Sequence, residues 1–469
     1  MFRTPEIERR YHERHDRYLT AMSGGTPDRI PIRFFFQEAA ARYAGLSTQQ
    51  VALDYNLAFE CTRKMAEDFS SDAVMLNAIW SNYGVAKAAS WKYLYVPGVD
   101  ISLNSVLQFA EPGKEADLPM HEDEYDELVR DPTAFLVNKW LSRATTRIRP
   151  SGGTVDFSHT AALISGSLAY ANYMNAFGPA AARLKDESGI VSANSGMIKA
   201  PLDILADKFR GYEGMAIDTI DRPKDLIRAC EALIPHIVAN ALAGADPGKQ
   251  VPITIWAHRG CVPFISQESF DTIFWPTLKP VFEQIIAQGY QILFYSEGNW
   301  EAHYDALREL PVGSIIYHLT KGSPELAARK LKDRFAISGG VSYDVLARGT
   351  PDDVRAHLKD LFSWLKDGGG YLLDCTSLML SDIKPENVRA AVDYTLEHGA
   401  YSQSSAIRPR GTAVPRDIPE GTRRPNTVRP WEEERAGYRC LSGDTGAVEV
   451  AWKAVDAAAY NYIWTTVLW

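Results

Sequence analysis

Residues 289–318, which read GYQILFYSEGNWEAHYDALRELPVGSIIYH, decide the fold. Two short apolar runs, 291–295 and 314–317, are separated by one stretch of helical length. This rhythm is typical of buried parallel strands joined by crossover helices. Glu297 follows the first run and His318 follows the second, so each candidate strand delivers a side chain that can bind a metal. Because chemistry in parallel α/β proteins lies at the carboxyl ends of the strands, we predict a functional site at this edge.

A plainer interpretation of these two side chains stays open. In it, Glu297 caps the helix that follows, and His318 is a buried histidine whose ring nitrogens bind neighbouring groups. Taken singly, each residue favours this interpretation, whereas their positions at the ends of consecutive strands favour a shared site.

The composition is that of an ordinary globular protein. The chain has 469 residues, of which 46% are hydrophobic and 23% are charged. A net charge of −9 without any basic block argues against binding to nucleic acid, and we find no apolar run of membrane-spanning length. The N-terminus lacks the apolar core of a secretory signal. The five cysteines are scattered without a CxxC motif, so we expect a cytoplasmic protein with reduced thiols.

Strand and helix candidates alternate along most of the chain. Further strand candidates lie at 29–36, 73–76, 252–257, 336–338 and 371–373, and regular patterning also returns at 204–209. About eight strand candidates are present, which is enough to close a (β/α)8 TIM barrel. An open doubly wound sheet is the competing fold, but no GxGxxG motif follows the first strand.

Two regions depart from this alternation. Residues from about 85 to 190 are irregular, with one helical stretch near 133–146, and we interpret them as a lobe inserted over the barrel mouth. After a barrel domain that ends near residue 400, residues 401–469 form a proline-punctuated arm with an aromatic end. This end is too aromatic to stay in water, so we expect it to dock on the barrel or on a second subunit of a homodimer.

Several short motifs together resemble the uroporphyrinogen decarboxylase superfamily. In chain order they lie at 28–32, 41–44, 200–205, 210–214, 337–341, 349–354, 368–373 and 384–388. The resemblance therefore spans roughly residues 28 to 400, and it implies a (β/α)8 barrel. The superfamily includes the decarboxylase itself and methyltransferases that pass methyl groups to or from corrinoid proteins, thiols or folates.

Decarboxylation of a porphyrinogen does not fit this sequence. The resemblance implies two arginines that hold substrate carboxylates, but only the second is retained, as Arg42, and the first falls on Glu38. A carboxylate there would repel an acidic substrate. The aspartate that the decarboxylase needs after its second strand is replaced by Ile79. A decarboxylase that anchors a smaller acid on Arg42 stays an alternative, as does a non-catalytic ligand-binding barrel.

The methyltransferase branch of the superfamily fits better. The sequence is similar to the Glu…Glu…His pattern of its aromatic O-demethylases, in which twenty residues separate the second Glu from the His. Glu297 and His318 have this spacing. Glu283 lies one residue too close and inside a helix, where a salt bridge is the simpler role. Thiol-methylating members add a later cysteine, which corresponds to Cys375. The resemblance thus implies that Glu297, His318 and Cys375 bind Zn²⁺ and leave one position open.

The reaction that this resemblance implies is removal of a methyl group from a small aromatic methoxy compound. Zinc on the ether oxygen would stabilise the charge that develops on the leaving phenolate. The methyl acceptor would be the cobalt of a reduced corrinoid (cobalamin) on a partner protein, or a nitrogen of tetrahydrofolate. We assign catalytic roles to Glu297 and to His258, which could donate a proton to the leaving oxygen.

An aromatic pocket is predicted at the barrel mouth. The predicted substrate-binding residues are Arg42, Asn77, Trp80, Trp256 and Tyr295. Trp256 shares a strand face with His258, and Tyr295 shares one with Glu297, because alternate residues of a strand point the same way. Such a lining suits a flat apolar substrate, although the same aromatic residues could simply pack the barrel interior.

Overall fold

The computed structural model of this chain describes residues 1–76, 83–106, 108–110, 117–415, 425–438, 443 and 445–468. Two predicted substrate-binding residues, Asn77 and Trp80, lie outside the described residues.

Eleven strands are present in the described part of the chain. In chain order they are β1 (Arg33–Phe34), β2 (Ala73–Val74), β3 (Leu94–Tyr95), β4 (Gln108–Phe109), β5 (Val191–Ser192), β6 (Gly196–Lys199), β7 (Ile253–Ala257), β8 (Ile292–Asn299), β9 (Ile315–Lys321), β10 (Ala336–Val341) and β11 (Tyr371–Cys375). All except β3 and β4 pair in parallel, and β3 with β4 form a separate antiparallel hairpin.

The parallel strands form an α/β barrel. Strands β1, β2 and β5 pair in that order, and β6 to β11 pair in chain order. Strands β5 and β6 follow each other along one extended segment, so together they occupy a single position in the ring. Ile32, next to β1, bridges Leu373 of β11 in parallel, which returns the pairing to the first strand. The result is eight positions, and the predicted barrel class is confirmed.

Helices surround the barrel and build the lobe over its mouth. In the first half they are α1 (Pro5–Met22), α2 (Glu38–Tyr43), α3 (Thr48–Leu53), α4 (Tyr55–Asp68), α5 (Tyr83–Ala88), α6 (Tyr125–Arg130), α7 (Pro132–Phe135), α8 (Leu141–Ala144), α9 (Phe157–Ser188), α10 (Pro201–Ile204), α11 (Gly211–Asp221) and α12 (Pro223–Ala243). In the second half they are α13 (Gln267–Ser269), α14 (Trp275–Ala287), α15 (Tyr304–Leu307), α16 (Pro324–Leu331), α17 (Tyr343–Arg348), α18 (Pro351–Leu365), α19 (Pro385–His398), α20 (Trp431–Ala436) and α21 (Gly446–Leu468). Wider π-helical turns lie at Leu136–Trp140, Leu205–Arg210 and Phe270–Phe274, and a 3₁₀ turn lies at Glu301–His303.

Helix α9 is the largest element that the sequence pattern did not reveal. It has 32 residues, begins at the Asp156 cap and ends at Gly189, whose φ of 62° is the left-handed conformation of a helix end. The helix packs against α1, α4, α5 and α21, so its apolar residues face several directions rather than one stripe. A helix of this kind has no clear 3.6-residue periodicity.

The third position of the barrel also differs from the sequence pattern. Regular patterning at residues 204–209 belongs to the end of α10 and to the π-helical turn Leu205–Arg210. The strand lies earlier, in β5 and β6, where the residues VSANSGMIK are too polar to read as a buried run. This polar interruption leaves Asn194 facing Thr254 of β7 at 3.2 Å.

The aromatic end of the chain packs within the same chain. Helix α21 contacts α7, α9 and α12. Trp464 stacks on His236 of α12 with ring centroids 4.2 Å apart, and its indole donates a hydrogen bond to Thr133. Helix α12 itself is long and apolar enough to cross a membrane, but 56% of its apolar window is buried, as expected for a core helix of a globular fold.

An ion pair lies inside the barrel. Nη2 of Arg33 on β1 is 2.7 Å from Asp374 Oδ2 on β11, and both side chains are buried. The same guanidinium group contacts Ser338 Oγ at 3.0 Å and His318 Nδ1 at 3.1 Å. One charged group thus joins strands β1, β9, β10 and β11 across the interior.

Replacement of Asp374 by Asn should destabilise the fold strongly, because it leaves the Arg33 charge buried without a partner. We expect the free energy of unfolding in urea to fall by about 3–5 kcal/mol. Asp344→Asn is the matched control, since Asp344 and Arg348 form an exposed pair whose loss should cost less than about 1 kcal/mol. Equal losses for the two variants would contradict the structural role of the buried pair.

Candidate active site

A cavity of about 330 Å³ opens at the carboxyl ends of β6, β7 and β8. Its floor contains Lys199 at the end of β6, Trp256 on β7 and Glu297 on β8. His258 and Arg259 follow β7 directly and also line the cavity. This is the end of the barrel at which TIM-barrel enzymes have their active sites.

The roof of the cavity comes from parts of the chain that are distant in sequence. Tyr93, Leu94 and Phe109 belong to the β3–β4 hairpin or lie next to it, and Tyr170 comes from α9. Leu468 at the end of α21 completes the lining. The inserted lobe and the C-terminal helix therefore both enclose the site.

Three aromatic rings stack in register under the cavity. Trp256, Tyr295 and His318 are aligned neighbours on β7, β8 and β9. The Trp256 and Tyr295 ring centroids are 4.0 Å apart, and those of Tyr295 and His318 are 3.9 Å apart. Glu297 accepts a hydrogen bond from the Trp256 indole at 2.7 Å. The carboxylate thus fixes the orientation of the one ring of this stack that lines the cavity.

His258 lies between two carboxylates. Its Nε2 is 3.1 Å from Asp207 Oδ1, and its Nδ1 is 3.3 Å from Asp203 Oδ2. Burial opposes a charge on the imidazole, but the attraction of Asp207 and Asp203 outweighs it, so the pKa of His258 is raised. The site thus favours the protonated imidazolium form, which can donate a proton.

Asp207 is the centre of the polar network. Its carboxylate is 2.7 Å from Lys199 Nζ and 3.0 Å from the guanidinium group of Arg259, in addition to its contact with His258. Burial opposes ionisation of this carboxyl group, but the neighbouring cations hold its pKa well below the usual range. Asp207 lies on the π-helical turn Leu205–Arg210, a widened geometry that is frequent at functional sites.

Most residues of this network were not predicted from the sequence. Asp203 and Asp207 are four residues apart, which places two carboxylates on one helix face. That spacing, within and just after the motif at 200–205, was the available signal. It gave no indication that His258, more than fifty residues later, would lie between them.

The predicted zinc ligands do not converge. Among the described residues, no three His, Cys, Asp or Glu side chains lie close enough together to hold a metal ion. Cys375 packs in the layer between strands and helices, whereas Leu372 on the same strand faces the barrel interior. Side chains alternate along a strand, so Asp374 points inward and Cys375 points away from His318.

His318 is buried among polar groups of the barrel interior. Its Nδ1 lies 3.1 Å from the Arg33 guanidinium group and 2.9 Å from Ser338 Oγ. Burial and the Arg33 charge lower its pKa well below the usual value, so the imidazole is neutral. Its Nε2 has no hydrogen-bond partner among the described side chains. Because Cys375 points away from His318, the three predicted ligands do not meet at one point in the part of the chain that the structure describes.

Other predicted residues are also outside the cavity. Arg42 is exposed on α2 and donates a hydrogen bond to the Ser381 carbonyl group rather than lining the cavity. Tyr295 is buried beneath Trp256. Glu283 lies 3.9 Å from Lys279 in a helix-surface ion pair. Of the predicted site residues that are described, the structure brings Trp256, His258 and Glu297 to the cavity.

The fold and the position of the cavity define an α/β barrel with a ligand-sized site at the carboxyl ends of its strands. Residues 168–398 match the family model of uroporphyrinogen decarboxylase (URO-D), and the resemblance predicted from the sequence is thereby confirmed. A solved methyltransferase from Methanosarcina mazei has a similar fold, with a TM-score of 0.55 and 16% sequence identity over 81% of this chain and 97% of that chain. No curated protein sequence matches this chain.

Replacement of Asp207 by Asn should lower the pKa of His258. The variant removes one of the two carboxylates beside the imidazole and releases the Lys199 and Arg259 charges from their partner. We expect a fall of about one pKa unit or more, measured by NMR titration of ¹³C-labelled histidine. Asp123→Asn, at an exposed position, should leave the titration unchanged. An unchanged His258 titration in Asp207→Asn would contradict the electrostatic role of Asp207.

Proposed function

We propose that this protein is a methyltransferase of the uroporphyrinogen decarboxylase type that takes a methyl group from a small aromatic methoxy compound. The observation that carries this proposal is the cavity itself, which combines aromatic walls with His258, a histidine whose pKa two neighbouring carboxylates raise. The fold shared with a solved methyltransferase supports the same class of enzyme. The cavity volume, about 330 Å³, lies at the lower end of the range for small-molecule sites and suits a single aromatic ring.

The walls of the cavity suit a flat ring. Trp91, Tyr93, Phe109, Trp140 and Trp256 all line it. Aromatic rings pack favourably on one another in offset or edge-to-face arrangements, which gives an arene both contact area and orientation. Glu297, which holds the Trp256 indole at 2.7 Å, therefore acts as a positioning residue for the substrate ring.

The chemical step is a displacement at the methyl carbon. The acceptor nucleophile forms a bond to this carbon with its own electron pair, while the bond between the carbon and the aryl oxygen breaks. The oxygen keeps that electron pair and takes a proton, so the products are a phenol and the methylated acceptor. We assign the proton to the imidazolium group of His258.

The contacts of His258 make this transfer feasible. Asp207 Oδ1 accepts from His258 Nε2 at 3.1 Å and from the Arg259 guanidinium group at 3.0 and 3.2 Å. Because the two donors compete for one oxygen, the His258 N–H can turn to the leaving oxygen while Asp207 keeps a partner.

The methyl acceptor that we propose is a reduced corrinoid on a partner protein or a nitrogen of tetrahydrofolate. Decarboxylation of a small acid is the second candidate, and it depended on Arg42 as the carboxylate anchor. Arg42 does not line the cavity, so the anchor predicted for this alternative is not at the site.

Replacement of His258 by Gln should slow methyl transfer by about 10²- to 10⁴-fold, the usual contribution of a general acid. The assay follows release of the phenol from a methoxybenzene substrate by chromatography, with cob(I)alamin or tetrahydrofolate as acceptor, and follows the methylated acceptor in parallel. His12→Gln, at an exposed position of α1, is the matched control and should keep full activity.

Two results would overturn the proposed function. One is carbon dioxide release from an aromatic acid without any methylated acceptor. The other is tight ligand binding with no turnover under any acceptor, which would indicate a non-catalytic binding barrel.

A further inference from the structure

Lys208 is a charged side chain of the cavity that has no role in the methyl transfer described above. It lies on the π-helical turn Leu205–Arg210, directly after Asp207, and lines the cavity. Its ammonium group lies over the Trp91 ring, 5.3 Å from the centroid, and over the Phe109 ring at 5.4 Å. Two aromatic rings of the roof therefore surround one cation.

Lys208 differs from its neighbour Lys199 in one respect. Lys199 forms an ion pair with Asp207 at 2.7 Å. Among the ion pairs of the described residues, none includes Lys208, although its amine is largely removed from water. A charge in such a place is costly unless it has a partner, and cation–π contacts compensate only part of that cost.

The cavity as a whole carries an excess of basic groups. The titratable side chains that face Lys208 across the cavity or beside it are Lys199, Asp207, His258, Arg259 and Glu297. With Lys208 included, four of these groups are basic and two are acidic. Asp207 already contacts Lys199, His258 and Arg259, and Glu297 is bound to the Trp256 indole. No carboxylate of this set remains for Lys208.

We propose that Lys208 binds an anionic group of the substrate, so that the cavity takes a methoxylated aromatic acid in preference to a neutral methoxyarene. The aromatic walls hold the ring, and the lysine amine holds a carboxylate through a charge-assisted hydrogen bond. That the ligand carries a methoxy group is inferred from the proposed function. That the ligand is an acid is inferred from Lys208 alone.

The protonation of Lys208 gives the binding a defined pH dependence. Burial, together with the Lys199 charge, lowers the pKa of Lys208 to about 7. Below this pH the free protein already carries the ammonium group, so affinity for the acid should be constant. Above it the free amine must take up a proton to bind the anion, so affinity should fall by about tenfold per pH unit.

The test is calorimetric titration of the full-length protein at pH 6 with 4-methoxybenzoate and with methoxybenzene. We expect the wild-type protein to prefer the acid. Lys208→Met should weaken binding of the acid by about 10- to 100-fold, should change binding of methoxybenzene little, and should remove the decline above pH 7. Lys224→Met, at an exposed position of α12, is the matched control and should bind as the wild type does.

A second variant tests whether weaker binding by Lys208→Met reflects loss of the charge or misfolding. Lys208→Arg keeps the positive charge, so it should retain most of the affinity for the acid at pH 6 and should lose the decline above pH 7, because arginine stays protonated.

Three outcomes would overturn the inference. The first is equal affinity of the wild-type protein for the two ligands, and the second is undiminished binding of the acid by Lys208→Met. The third is that the wild-type protein shows no preference for the acid while Lys208 forms an adduct with 4-methoxybenzaldehyde that borohydride reduces. Failure of the proposed function would give a different result from failure of this inference. In that case Lys208-dependent binding of the acid would persist, but no methyl group would be transferred.

Discussion

The buried guanidinium group of Arg33 is the constraint on which the barrel interior depends. It connects the first strand to Asp374 on the last, and it also contacts Ser338 and His318. A cation in that place requires a carboxylate close by, and it disfavours a second positive charge on the adjacent imidazole. The same interaction thus connects the two ends of the closed ring and keeps the His318 imidazole neutral.

Asp207 has the corresponding role at the mouth of the barrel. By contacting Lys199, His258 and Arg259, it joins the ends of β6 and β7 to the π-helical turn that carries it. The network raises the pKa of His258, and among the described residues it leaves no cavity carboxylate paired with Lys208. The general acid catalysis and the recognition of an anion that we propose would therefore both follow from how one carboxylate is shared.

Much of the fold could be predicted from the sequence because its cause is local. Short apolar runs such as 291–295 and 314–317 are buried on both faces, and this makes strands recognisable without tertiary information. Prediction failed where burial is not reflected in a simple period. Helix α9 packs on several sides, and the third barrel position is interrupted by polar residues between β5 and β6.

The sequence by itself determined the barrel class and the edge of the barrel at which the cavity opens, and it singled out Trp256, His258 and Glu297, which line that cavity. Tertiary structure alone decided which other side chains meet there. Cys375 and His318 both lie near the carboxyl ends of their strands. Because side chains alternate along β11, however, the Cys375 side chain points away from His318. The roof residues and Lys208 come from the inserted lobe, from α21 and from a π-helical turn, and their meeting depends on packing between distant segments. Contacts between distant segments produce no regular spacing of residues in the sequence, because the residues are close only in the folded structure.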